Sequence, residues 1–271
     1  VSLKSLTSIF GHHPDLLFST CSPDGAPIRL RLGSIHAYLV FGARNVQAIF
    51  RNSKDLTFEE FALRVAQKVK RLPARDAAIL VADKSGSSTR PMTDTPNSLR
   101  IWRKFHEIYE NNLTGIGAVS LLTDRFVNEF VCQIDALPNG GWKNTKINDL
   151  LQDAMLTAST RTLAGPALFE IDPDFAKYFW YYDEAFMPLL YGLPRIFCRK
   201  GWDARDRALE SVKAYLQQAW GKTDWQEIRR CNPDWEENFG SRLIRAREEA
   251  MMDYGISLDG RASFELGLIW S

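Results

Sequence analysis

Two periodicities divide the chain. Over residues 26 to 42, APIRLRLGSIHAYLVFG, Ile28, Leu30 and Leu32 alternate with Arg29 and Arg31, which is the period of a half-buried strand. Gly33–Ser34 supplies a turn and Ile35 to Phe41 is rich in β-branched and aromatic residues, so a hairpin is expected. From residue 43 onward the apolar positions recur at helical spacing. A short helix is expected over Arg44 to Phe50. In DLTFEEFALRVAQKVKRLP, Thr57 and Glu60 read as a capping box, and Phe58, Phe61, Ala62, Val65 and Val69 as one apolar stripe ended by Pro73.

Residues 73 to 100 lose the helical period, and DKSGSSTRPMTDTPNS is rich in Ser, Thr, Pro and Asp, so a long irregular connection is expected there, of the kind that forms lids and binding loops. Beyond it helices are expected over residues 99–111, 118–136, 148–163, 175–190, 204–218 and 242–254, with Pro138, Gly165–Pro166, Pro173, Gly192–Leu193–Pro194 and Pro233 between them. Pro188 interrupts one of these and predicts a kink or an early end. The final stretch, RASFELGLIWS, places Ala262, Leu266 and Ile269–Trp270 at helical spacing and reads as a strongly apolar helix cut short. The expected fold class is mainly α, a large irregular helical body with a small N-terminal β-hairpin.

Composition narrows the classes. With 45% hydrophobic and 25% charged residues among 271, the chain can bury a sizeable core without disulfides. The net charge of +1, with both signs interspersed, gives no basic stripe for nucleic acid. Cys21, Cys132, Cys198 and Cys231 lie far apart with no C-x-x-C pair, the pattern of reduced thiols in an intracellular protein. No apolar run approaches the length of a membrane span, and a targeting segment, if there is one, is expected outside these residues.

Most candidate motifs fail on context. GIGAVS, residues 115 to 120, half matches a dinucleotide-binding loop but sits between helices, where no strand precedes it. Gly115 reads as a break between helical segments. His12–His13 are neighbours whose side chains diverge, which disfavours a shared metal. Asn112–Leu113–Thr114 matches a glycosylation sequon and is expected to be unused. Asp183–Glu184 and the Asp203/Asp206 pair have no partner cluster downstream and read as solvated helix faces. There is no G-x-S-x-G elbow and no convincing Cys–His pair, so no catalytic residue is assigned within the chain.

The ordered series APIRLRLGSIHAYLVFGARNVQAIFRNSKDLTFEEFALRVA, NNLTGIGAVSLLTDRFVNEFVCQID, INDLLQDAMLTASTRTLAGPALFEIDPDFAKYFWYYDEAFMPLLYGLPRIFCRKGWDARDRALESVKAYL and RASFELGLIWS resembles the cytochrome P450 haem-thiolate monooxygenases. Its style is nearest the fungal relatives of the sterol 7α-hydroxylase and prostacyclin synthase branch. The resemblance implies that residues 1–271 are a single partial domain, the N-terminal half of that fold. On that reading residues 26–42 are its first hairpin, residues 43–271 are mostly helical, and the half that carries the haem ligand is missing. The last helix would begin the long helix over the haem, and no cysteine here stands in an F-x-x-G-x-x-x-C-x-G loop.

By the same resemblance the parent reaction inserts one oxygen atom from molecular oxygen into a hydrophobic small molecule of sterol, fatty acyl or terpenoid type, with an NADPH-dependent reductase as partner. Full-length relatives are anchored to the endoplasmic reticulum membrane. Haem is the implied cofactor and no other metal is expected. Trp102 falls where the family places a propionate-binding Trp, and His106 stands where Arg is usual. Met187, Leu190, Leu193, Leu266 and Trp270 fall in substrate-facing regions and would give an apolar lining. The competing class is a non-enzymatic, truncated or degenerate helical protein that binds a hydrophobic ligand or a partner.

Overall fold

The computed structural model describes residues 26–32, 35–52, 58–137 and 146–270. His12–His13, Cys21, the Gly33–Ser34 turn, the Thr57 cap and Pro138 lie outside the described residues. The chain divides into two compact units, residues 1–61 and 62–271.

In the first unit, β1 (Ile28–Leu32) and β2 (Ile35–Leu39) pair antiparallel, with Ile28 opposite Leu39 and Leu32 opposite Ile35. This is the hairpin that the alternation predicts. Helix α1 (Ala43–Arg51) follows after Gly42, whose φ of 83° is open to glycine at little cost. The side chain and backbone N–H of Asn52 both donate to the carbonyl of Ala48, closing the helix.

Helix α2 (Glu59–Lys68) bears out only the second half of the expected stripe: Val65 and the following Val69 are buried, whereas Phe58 and Phe61 stand exposed and meet each other ring to ring at 5.7 Å. The next segment departs from expectation. Residues 74–82 form a helix, α3 (Ala74–Ala82), where an irregular connection was expected. Helix α2 stops at Lys68, before the proline, where Arg71 takes a left-handed φ of 57° and the Leu72 N–H closes back on the Ala66 carbonyl; Pro73 instead opens the next helix, its φ of −57° suiting the residue before a first turn in which Asp76 sits favourably. The irregular loop therefore shrinks to residues 83–96, followed by a 3-10 turn at Asn97–Leu99. Helix α4 (Ile101–Tyr109) continues into a π turn at Glu110–Thr114, and Gly115 caps α5 (Ile116–Asp135) as a helix break.

Helix α6 (Ile147–Ala164) packs on α5 and ends at Gly165, with α7 (Ala167–Ile171) directly after. The expected helix over residues 175–190 splits into α8 (Phe175–Glu184) and α9 (Phe186–Leu190) around Ala185. Pro188 explains the split: its ring would clash with the carbonyl of Glu184 in a continuous helix, and it is tolerated in the first turn of α9.

Helix α10 (Arg199–Lys222) runs longer than expected and supports the core. Gly201, Ala204, Ala208, Val212, Tyr215 and Ala219 line its buried face at helical spacing. A Cβ on Gly201 would stand 2.1 Å from that of Ala185, so glycine is what lets α10 meet the α8–α9 break. Helix α11 (Trp225–Cys231), capped by Asp224 through the N–H groups of Gln226 and Glu227, was not anticipated. Two short strands, β3 (Trp235–Glu236) and β4 (Gly240–Ser241), were not anticipated either. The chain continues through α12 (Arg242–Asp253) to α13 (Leu258–Trp270), which packs against α10. The described residues thus form a mainly α fold with two small antiparallel hairpins, and none of the described helices is long and apolar enough to cross a membrane.

Helix α5 is the longest of the described helices without a buried residue, a feature it shares with the short α1 and α11. None of its 20 residues is fully buried, and Ile116, Val119, Val127 and Val131 stand exposed along one stripe, with Ile116 93% accessible.

Candidate functional site

Trp102 lies on the first turn of α4 and is tied to the chain before it. Its backbone N–H donates to Asp83 Oδ2 at 3.1 Å, and its indole N–H donates to the carbonyl of Leu80 at 3.1 Å. Asp83 also accepts from the backbone N–H and the hydroxyl of Ser85, at 2.8 and 2.6 Å. The buried Arg100 then gathers the loop, donating to Ser85 Oγ and to the carbonyls of Ser88 and Thr89. His106 sits four residues after Trp102 but is half exposed, 3.2 Å from Glu110. A haem propionate needs donors that are free, and a carboxylate beside His106 repels a second one. The Trp102 indole N–H is thus already engaged, and His106 Nε2 faces the Glu110 carboxylate. Among the described residues no group of three His, Cys, Asp or Glu side chains converges on a metal position. Cys132 and Cys231 are exposed and Cys198 is half-buried, all as free thiols. Glu227 accepts from Cys231 at 2.9 Å, which pushes that thiol up from its ordinary range.

The five apolar positions separate. Leu266 and Leu190 are buried in the core. Trp270 stacks on Phe186 with ring centres 4.7 Å apart, and its indole N–H donates to Asp183 at 2.7 Å. Asp183 therefore has a structural partner and is not simply solvated. Met187 is half-buried beside them, and the carbonyl of Leu193 accepts from the Trp202 indole at 3.1 Å. Two described cavities, of about 500 and 310 Å3, are lined by other residues on α4, α5, α11, α12 and their connections.

The densest chemistry is one that the hydrophobic pattern did not mark. Arg247 of α12 and Glu265 of α13, 3% and 0% exposed, pair at 2.9 Å. The other Arg247 nitrogens donate to the Tyr109 hydroxyl at 2.6 Å and to the Phe264 carbonyl at 3.2 Å. Beside them Arg261 pairs with the buried Glu248 at 3.0 Å, and the Trp220 indole donates to the same carboxylate oxygen at 2.9 Å. Burial, then repulsion from Glu265, pushes Glu248 up to about 7. Burial also raises Glu265, against the pull of Arg247. Lys70 lies close by and is lowered to about 8 by burial and then by Arg247. The two ion pairs lock α12 to α13, and Lys70, just past the end of α2, feels the charges of Arg247 and Glu265. The sequence signal was RAREEAMMD, in which charges occupy the positions of the apolar stripe.

A second anchor joins α10 to the α7–α8 connection. Arg207 reaches Asp172 through two nitrogens at 2.9 and 3.1 Å, and Ser211 donates to it at 2.7 Å. Burial alone would raise Asp172, but the Arg207 and Ser211 bonds hold it below the usual carboxylate value.

The arrangement is a helical body with paired internal charges and, among the described residues, no converged catalytic group. No protein-family model matches the chain. It is 28% identical over 225 residues to the cytochrome P450 monooxygenase calL of Penicillium decumbens, a match covering 80% of this chain and 41% of that protein. It is 26% identical over 267 residues to the cytochrome P450 monooxygenase efuG of Hormonema carpetanum, covering 95% of this chain and 45% of that protein. It is 25% identical over 260 residues to the cytochrome P450 monooxygenase fsoE of Humicola fuscoatra, covering 91% and 41%. These similarities support a relationship to the fungal cytochrome P450 monooxygenases. The chain spans less than half the length of the curated relatives it matches.

Proposed function

We propose that the chain is the N-terminal half of a haem-dependent monooxygenase that inserts one oxygen atom from molecular oxygen into a hydrophobic substrate of sterol, fatty acyl or terpenoid type. The observation that carries this reading is the match to three proteins named as cytochrome P450 monooxygenases, spread over 80 to 95% of the chain. Placement in the sterol 7α-hydroxylase and prostacyclin synthase branch rests on sequence resemblance alone. Haem, when bound, supplies the oxygen chemistry, and the thiolate that ligates it belongs to residues outside this chain. Electrons come from an NADPH-dependent reductase, and the enzyme works inside the cell at the endoplasmic reticulum membrane. By the same resemblance Met187, Leu190, Leu193, Leu266 and Trp270 are the proposed substrate-facing positions.

The test is the coding sequence beyond residue 271. An in-frame continuation should encode the glycine-rich cysteine loop. The longer product, reduced under carbon monoxide, should give the red-shifted absorption of a thiolate-ligated haem. A continuation without that cysteine, or a longer product that takes up no haem, refutes the proposal.

A further inference from the structure

A groove of about 500 Å3 lies between α4 with its π turn on one side and α11 and α12 on the other. Its walls carry four cations, Lys104, Arg229, Arg242 and Arg245, against two carboxylates, Glu107 and Glu249. Glu107 is already bonded to Arg103 at 2.9 Å, and Arg229 stands 3.9 Å from Glu249, beyond hydrogen-bond length. Arg242 holds Asp234 at 2.6 Å and the Asn232 carbonyl at 2.7 Å, yet its Nε is buried without a partner.

Arg245 is the unusual member. It is 3% exposed, one of its nitrogens donates to the Pro233 carbonyl, and its Nη1 has no partner. A buried guanidinium N–H left unpaired carries a desolvation penalty that an anionic acceptor removes. Burial lowers the pKa of Arg245. Glu236, Glu249 and Asp234 oppose that shift and Arg242 adds to it, so the surrounding carboxylates do not fully compensate its charge.

We infer that this groove binds an oxyanion group, the phosphate or carboxylate of a small organic ligand, seated on Arg245 with Arg229 and Lys104 at the rim. Guanidinium groups match the planar or tetrahedral oxygens of such groups, and charge-assisted bonds of this kind are the strong ones. Ile108, Ile228 and Ala246 supply apolar wall for the remainder of the ligand, and the volume suits a small molecule. The groove shares no residue with the proposed substrate wall, so it stands or falls independently of the monooxygenase reading.

The experiment titrates the purified 271-residue chain with inorganic phosphate, pyrophosphate and citrate at constant ionic strength, read by calorimetry. At least one should bind saturably, and the preference between phosphates and citrate identifies the head group. Arg245→Met should weaken binding about tenfold or more, as expected for one charge-assisted bond. Arg229→Ala and Lys104→Ala, on exposed side chains, should weaken it several-fold while the chain stays folded; they decide the matter if Arg245→Met does not fold. Arg71→Ala, at an exposed arginine elsewhere, should change nothing. Failure of all three anions to saturate, or equal affinity across the groove variants, overturns the inference.

Discussion

Replacing Arg247 by Met removes a guanidinium that makes four hydrogen bonds within a site of almost no solvent access. Glu265, fully buried, would lose its 2.9 Å partner, and the Tyr109 hydroxyl and Phe264 carbonyl would lose theirs. Breaking a buried pair from one side costs about 3–5 kcal/mol, chiefly because a charge is left uncompensated. Lys70 still stabilises the Glu265 charge, so the lower end, about 3 kcal/mol, is expected for Arg247→Met. The double replacement Arg247→Met with Glu265→Leu removes both charges and fills the space with apolar volume, and it should recover most of that loss. Urea unfolding of wild type, both single variants and the double variant gives the coupling energy directly, with unchanged slope as the check that the denatured state is comparable. Losses of less than about 1 kcal/mol for Arg247→Met, the worth of an exposed pair, would show that α12 and α13 are not locked as described.

Three further outcomes follow from other positions. A Cβ at Gly260 would lie 2.4 Å from Asp76 Oδ2, the carboxylate that accepts from the backbone and hydroxyl of Ser257; Gly260→Ala should therefore cost about 1–3 kcal/mol in thermal or urea unfolding, as overpacking does. Glu248 keeps its proton to about pH 7 when folded and loses it near 4.5 when unfolded. The folded state binds more protons across that window, so stability should fall as pH rises from 4.5 to 7, by on the order of 3 kcal/mol, and Glu248→Gln should flatten the curve. Asp172 acts with the opposite sign, its contribution being lost as pH falls through its lowered folded value. In a longer product that holds haem, His106→Ala should leave the haem off-rate within about twofold of wild type, since its partner is the half-exposed Glu110. A much faster loss would instead place His106 at a propionate.

The parts of the fold that follow from one periodicity were legible. Alternation around Ile28 to Leu32 marked the hairpin, whose strands pair in the expected order, and the helical spacing over residues 204–218 marked most of the central helix, because Ala204, Ala208 and Val212 there fall on one buried face. Helix α3 escaped because Pro73 reads as a stop and the nine residues after it, about two and a half turns, are a short stretch of pattern beside a polar loop. The site was legible only as far as residues share a helix. Trp102 and His106 could be placed four apart, but the indole's partner lies 22 residues upstream and the His106 partner is a carboxylate on the next turn. Arg247, Glu248 and Glu265 were opaque for a different reason: a charged side chain reads as solvent-facing until its counter-charge on another helix is known.

The exposed stripe on α5 bears on when this chain is made as well as on what it becomes. Ile116, Val119, Val127 and Val131 leave the ribosome before the remaining residues of the chain, whose synthesis takes on the order of ten seconds. None of the described helices shelters them, for they are still open when every one of these is in place. A nascent polypeptide of this kind therefore carries a sticky surface throughout elongation. Its yield in a host cell should depend on holdase supply and on growth temperature more than on codon choice.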